Sequence, residues 1–423
     1  MSTTTATTTA PEQVEAPQKG FAGQNVPRKE DKRLVQGQGV FVDDVRRHEV
    51  GYVHFVRSPY AHAAITSIDI SEALALEGVY GALIGEEVAA LTDPFFQLSV
   101  PPGSEIKDYA LAVGKVRHLG DPVAAVAART RELARDAAEL VEVEYEPLPV
   151  VVDPERALDE DAAVLHEDAG SNLVWSGAFD WGDFDTALAE ADHVVRIERL
   201  HFDRFSSTPL ETSGALVEYD RGTAQWTLHA NNQFPGFAII MMGPALRTGM
   251  DKLRFVSQDI GGAFGNKICT HPQLVALCLL ARKLNRPVHW TEWRTDQHTG
   301  NSHGNERVFL DVEVPVKADG TMLGFRCKAL DDCGAYSRYE PLGCIIWAQV
   351  TPGLYRWRNV HIDFSQVCTN KSPCGPNRGY SRMQHLWFTE RVIDIVAHEL
   401  ELDPVEIRKR NYITAEEMPY ETP

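Results

Sequence analysis

At 423 residues, with 43% hydrophobic and 24% charged side chains, the chain is long enough for two or more domains with sizeable cores. A formal charge of −19 argues against a nucleic-acid partner, because phosphate binding needs clustered Lys and Arg. Apolar runs such as Leu274 to Leu280 fall well short of the roughly 20 residues of a membrane-spanning helix, so no membrane span is expected.

The chain opens on a Thr- and Ala-rich polar tract without the basic and apolar segments of a secretory signal or transit peptide, and residues 1–27 read as a disordered tail. Period-two patterning then predicts strands over 51–57, 64–70 and 78–83, with a short helix over 71–75. The order recurs as strand 122–127, helix 130–140 and a strand in which Val141, Glu142, Val143, Glu144 and Tyr145 alternate as a half-buried strand does. Three prolines between 147 and 154 and an acidic run to Asp161 indicate a linker. Residues 28–150 are therefore expected to form one α/β domain, 151–170 to connect, and 171–423 to form a second.

The second region begins with strands over 194–200, 215–219 and 225–230 and reaches a glycine-rich segment at 261–265. A helix over about 272–284 follows, and its near-continuous apolar character implies burial on most sides. Strands over 308–314 and 324–330 precede a helix over 383–400. A last helix is signalled by Asp403-Pro404-Val405-Glu406, which offers an N-cap, a first-turn proline and a capping-box glutamate. The sequence stops in a loop-like stretch at 418–423 and reads as cut short there. The seven cysteines, at 269, 278, 327, 333, 344, 368 and 374, form no CxxC pair. Their spacing argues against iron–sulfur, zinc or disulfide frameworks built by this chain alone, and for a reducing cytoplasm.

Two segments carry chemistry. In Gly261-Gly262-Ala263-Phe264-Gly265-Asn266-Lys267 the glycines let backbone approach a ligand, and N–H groups of such a loop bind anions or oxo groups. Ile268 in place of Ser or Thr rules out a P-loop, and no GxGxxG is present. Taken alone, the segment is as consistent with a tight structural turn. The second, Gly375-Pro376-Asn377-Arg378-Gly379-Tyr380-Ser381-Arg382, sits just before the predicted helix at 383; Arg378 offers a rigid fork of donors and Tyr380 a ring face for a flat substrate. Alone it is equally an ordinary helix-entry loop.

Together and in this order, the two loops resemble those of the xanthine dehydrogenase, aldehyde oxidase and aerobic carbon monoxide dehydrogenase large subunits. The resemblance extends to Lys29-Glu30-Asp31-Lys32-Arg33-Leu34, Arg57-Ser58-Pro59-Tyr60-Ala61-His62-Ala63, Gly120-Asp121-Pro122-Val123-Ala124 and Leu402-Asp403-Pro404-Val405-Glu406. It implies an α/β (α+β) fold, a hammerhead domain followed by the first half of a molybdopterin-binding region. It further implies that Gln233 bonds an oxo ligand of molybdenum, that Gly262, Ala263, Phe264, Gly265, Arg378 and Gly379 bind the cofactor, and that Tyr380 stacks on substrate. No direct protein ligand to the metal is implied. The cofactor implied is molybdopterin, as the cytosine dinucleotide, with [2Fe-2S] and FAD on partner subunits.

Two departures bear on the substrate. Gly379 stands where carbon monoxide oxidisers place a cysteine, and Ile268 where purine oxidisers place a glutamate, with Ile346 near the position of their substrate-binding arginine. Apolar side chains there cannot pair with a polar purine, which points to an aldehyde, aromatic or N-heterocyclic substrate. A third departure is that the second half of such subunits, with its catalytic glutamate, is absent from this sequence. The favoured expectation is a split enzyme in which a partner chain supplies that half, rather than a remnant. Other readings are a noncatalytic molybdopterin-binding assembly subunit and a hydratase-like or reductive member.

Overall fold

The computed structural model describes residues 20–300, 303–351 and 353–421; the part of the expected tail before residue 20 lies outside them. Residues 20–40 belong to a small unit of their own, with one short helix, Asp31–Val35, and an Arg28–Asp31 ion pair at 2.6 Å.

The remainder, from Phe41 on, is one compact unit. Up to residue 150 it contributes β1 (Gly51–Arg57), β2 (Ala63–Asp69), β3 (Val79–Ile84), β4 (Lys115–Val116), β5 (Pro122–Ala128) and β6 (Glu142–Pro147). Beyond that come β7 (Leu173–Trp181), β8 (His193–Phe202), β9 (Gly214–Asp220), β10 (Gln225–Ala230), β11 (Leu253–Ser257), β12 (Val288–Thr291), β13 (Glu306–Val316), β14 (Gly324–Asp332) and β15 (Asn359–Val367).

These strands form three sheets, ordered β11-β10-β9-β12-β1-β5-β3, β7-β15-β14-β13-β8 and β4-β2-β6. The first crosses the expected linker: β1 pairs in parallel with β12, Gly51 opposite Val288 and Tyr52 opposite His289, and β12 pairs with β9. The two sequence regions therefore share hydrogen bonds of a single sheet. Every residue of β5 is buried, which explains its Pro-Val-Ala-Ala-Val-Ala-Ala composition: a strand with neighbours on both edges and cover on both faces is apolar throughout rather than alternating.

The helix His271–Leu284 packs against the first sheet, and its residues from His271 to Ala281 are all buried. Each of its fully buried leucines contributes about 1.5–3 kcal/mol relative to exposure. The second sheet is covered by the helix Arg382–Glu399. Phe309, Phe325, Trp347, Phe364 and Phe388 interlock there, with Phe309 and Phe388 stacked at 4.3 Å. The last helix, Pro404–Asn411, is capped by Asp403, whose carboxylate accepts from Val405 N at 2.8 Å and Glu406 N at 3.0 Å. The expected capping-box return does not form, because Glu406 turns to Lys409 at 2.8 Å. All seven cysteines are buried free thiols. No helix among the described residues is long and apolar enough to cross a membrane.

Candidate active site

Each chemistry-bearing loop lies between a strand and a helix: the first between β11 and the helix His271–Leu284, the second between β15 and the helix Arg382–Glu399. Both strands pair in parallel with a neighbour, β11 with β10 and β15 with β14. The loops thus sit beyond the carboxyl ends of strands, where open α/β sheets bind ligands.

In the first loop Phe264 and Gly265 have φ of +53° and +99°, and Asn266 N donates to Ala263 O at 3.0 Å across them. That is a tight turn whose two central residues are left-handed. For a phenylalanine this conformation costs roughly 1–2 kcal/mol, so the surroundings must hold it. They do so from three sides. Arg378 N donates to Phe264 O at 2.7 Å, and the Arg378 guanidinium stands 5.0 Å above the Phe264 ring. A Cβ at Gly265 would fall 2.1 Å from Pro376 O, so only glycine permits this approach of the second loop. Gln233 Oε1 accepts from Gly265 N at 2.8 Å.

The Gln233 bond has a chemical consequence. An amide whose oxygen is committed to a backbone N–H turns its two donors the other way, and Gln233 is exposed. Phe264, Arg378 and Gly379 are exposed with it, so the four present donors and an aromatic edge on one accessible surface. Gly262 and Ala263 are half-buried behind them.

Beneath the first loop lies a pair that sequence reasoning did not single out. Lys267 Nζ is fully buried 2.9 Å from Glu211 Oε2, which also accepts from Gly261 N at 2.8 Å. Burial lowers the Lys267 pKa, and Glu211 opposes that. Asn266 is held by Gln297 Nε2 at 3.1 Å. Nothing local in Leu210-Glu211-Thr212 announces a partner so far along the chain.

In the second loop Arg378, Gly379, Tyr380 and Ser381 have successive φ values of +41°, +95°, +42° and +64°. Arg378 N and Tyr380 N donate within the fold, to Phe264 O at 2.7 Å and Asn377 O at 3.1 Å, so the run is a left-handed turn held by backbone bonds. The Ser381 hydroxyl is buried without a partner among the described residues. Tyr380 departs from the expectation of an open stacking face: its ring is 6% exposed and meets Tyr339 edge-on at 5.3 Å. Its hydroxyl lies between the Tyr339 carbonyl, at 3.4 Å, and the Glu340 carboxylate. The reason is the left-handed backbone at 380 together with an acceptor-rich interior, neither visible in the motif.

An aromatic series runs from the segment that carries Gln233 to the second loop. Phe234, next to Gln233, stacks on Phe237 at 6.0 Å; Phe237 meets Tyr339 at 4.8 Å, and Tyr339 meets Tyr380. Ile268 is buried in the same cluster as Phe237, whereas Ile346 is half-buried on the helix Leu342–Val350. No group of three or more His, Cys, Asp or Glu among the described residues could hold a metal ion.

Residues 165–412 match the molybdopterin cofactor-binding domain, and residues 36–149 the aldehyde oxidase and xanthine dehydrogenase a/b hammerhead domain. The chain belongs to the xanthine dehydrogenase and aldehyde oxidase family of molybdopterin-binding subunits. It is 35% identical over 416 residues to the 6-hydroxypseudooxynicotine dehydrogenase complex subunit gamma of Paenarthrobacter nicotinovorans, covering 96% of this chain and 51% of that protein. Quinoline 2-oxidoreductase from Pseudomonas putida 86 superimposes with a TM-score of 0.86 at 32% identity, over 94% of this chain and 51% of that one. The chain thus spans about half the length of these relatives. The nicotinate dehydrogenase large molybdopterin subunit of Eubacterium barkeri is itself of comparable length: at 28% identity the match covers 92% of this chain and 88% of that protein.

Proposed function

We propose that this chain is the first half of a split molybdenum hydroxylase large subunit, acting in a complex with a second-half molybdopterin-binding subunit, an iron–sulfur subunit and an FAD subunit. The observation that carries the reading is the junction of the two loops, where Gln233, Phe264 and Arg378 converge through the Gly265 N–H, the Phe264 carbonyl and the Arg378 N–H.

These residues fit a pterin-bound oxo-metal group, because the outward amide donors of Gln233 and the exposed Arg378 fork both offer hydrogens to oxygen. When bound, molybdopterin, here taken as the cytosine dinucleotide, supplies oxidation of an electron-poor carbon with oxygen derived from water. The chain's own share is orientation. Gln233 presents a fixed donor where an oxo group would stand, the turn at Phe264–Gly265 holds the adjoining wall, and Arg378 with Gly262, Ala263 and Gly379 seats the pterin side. A partner's glutamate acts as the base. Ile268, Ile346 and the aromatic series around Phe237 and Tyr339 favour an aromatic or N-heterocyclic substrate, or an aldehyde. Seven buried free thiols fit a cytoplasmic location.

The test is affinity purification of the chain with its partners, with molybdenum, iron and flavin measured per chain and turnover assayed on N-heterocycles. Molybdenum and turnover are expected in the complex. Gln233→Ala should keep the complex and the metal but lower kcat by about 100-fold, the order found when one aimed donor is removed. A complex without molybdenum, or full turnover by Gln233→Ala, overturns the reading.

A further inference from the structure

Behind Tyr380 lies a carboxylate that the reading above leaves without a role. Glu340 has no exposed surface. Its Oε2 accepts from Gly343 N at 3.0 Å and Gln366 Nε2 at 2.7 Å. Its Oε1 accepts from Asn305 Nδ2 at 3.4 Å and lies 3.7 Å from Cys374 Sγ. The Tyr380 hydroxyl, which donates to the Tyr339 carbonyl at 3.4 Å, stands beside the same carboxylate over Gly343. These donors come from separate parts of the fold: Asn305 just before β13, Gln366 in β15, Gly343 in the first turn of the helix Leu342–Val350, and Cys374 and Tyr380 from the second loop.

Gly343 makes the convergence possible. A Cβ there would stand 2.9 and 3.1 Å from the two Glu340 oxygens and 3.3 Å from the Tyr380 hydroxyl. Asp331 orients the donors from the other side. It accepts from Arg307 Nε at 2.9 Å, Asn305 Nδ2 at 2.6 Å and Gln366 Nε2 at 3.2 Å. Neither amide can flip without setting its carbonyl oxygen against a carboxylate. The place filled by Glu340 therefore calls for a group that only accepts. Burial, reinforced by Asp331, raises the Glu340 pKa, while the bonds from Tyr380, Gln366 and Gly343 oppose the rise.

We propose that Glu340 is a positioning residue of the candidate site: it ties Tyr380, and with it the left-handed run at 378–381, to the helix that carries Ile346, so that two walls of the substrate pocket keep one register. This inference rests on the hydroxylase reading. Glu340 touches neither cofactor nor substrate and acts through Tyr380 and Gly343.

The test uses the purified complex, with hydrogen–deuterium exchange as a readout independent of turnover. Tyr380→Phe keeps the ring and deletes the hydroxyl. It should speed exchange over 375–384 by about three- to tenfold, as loss of the one hydroxyl that stands between the Tyr339 carbonyl and Glu340 implies at a local opening. KM for an N-heterocycle should rise several-fold while kcat stays within about twofold. Glu340→Gln, which sets an amide NH2 among donors, should do the same and also speed exchange over 342–350. Unchanged exchange in Tyr380→Phe overturns the proposal, as does faster exchange with unchanged KM, which would make the contact packing alone. A wild-type complex without molybdenum overturns the hydroxylase reading and this inference with it. That outcome is distinguishable because it is read before any variant is made.

Discussion

Lys267 is a charged residue set in an interior that does not suit a charge. An ammonium with no exposed surface is tolerated because Glu211 stands 2.9 Å away and the same carboxylate also takes the Gly261 N–H. The pair thereby pins the start of the glycine-rich loop from below. Burying two charges is not in itself stabilising, but stranding one is costly. Lys267→Met should therefore destabilise the chain by about 3–5 kcal/mol, and the double variant Lys267→Met with Glu211→Gln should recover part of that loss. Urea denaturation of the two variants and the parent checks the expectation, and equal loss in single and double variants would contradict it. The sequence offered Lys267 only as the end of a loop motif. Its partner could not be read, because glutamates at loop positions are common and the pairing is made by the tertiary fold.

At the scale of elements, the two loops form one unit through the close approach of Gly265 to Pro376. Gly265→Ala adds a methyl where 2.1 Å is available and a side chain where φ is +99°. It should cost about 1–3 kcal/mol and pull Phe264 off Arg378. Circular dichroism melts should show the lost stability and exchange over 375–384 the separated loop; an unchanged melt would mean that the approach is not tight. Legibility followed periodicity. The sequence placed β1, the Arg131–Glu139 helix and the buried His271–Leu284 helix because alternation, a Thr130 cap and a long apolar run mark them locally. It missed the helices Pro235–Ala245 and Leu342–Val350, which are apolar around most of their circumference, the first with Pro244 inside. The loop motifs were visible, and so were Gln233 and Arg378 by resemblance. The left-handed run at 378–381 was not, since Arg, Tyr and Ser do not announce positive φ.

For the whole molecule, pH tests how much of the interior depends on neutral imidazoles. Burial holds His166 and His303 down to about 3 and His289 and His385 down to about 4. The unfolded chain takes up these protons near pH 6.5 and the folded chain does not until pH 3–4. For these four groups the unfolded state binds more protons within that window, and they outnumber Glu292 and Glu340, whose carboxyls burial raises to about 7 with the opposite effect, so stability should fall as pH drops from about 6.5 toward 4. The urea midpoint should be lower at pH 5 than at pH 7. His385→Gln, which can still accept from Trp347 Nε1, should narrow the difference, and an unaltered difference would exclude His385 as a contributor.

The shared seven-stranded sheet also sets a schedule for synthesis. β1 cannot gain its β12 neighbour until Val288 has left the ribosome; at 5–20 residues per second that is on the order of ten seconds or more after Gly51 emerges. For that interval an edge of β1 is open to strangers, and chaperone occupancy of nascent chains ending between the two strands would be a natural place to see the cost of the topology.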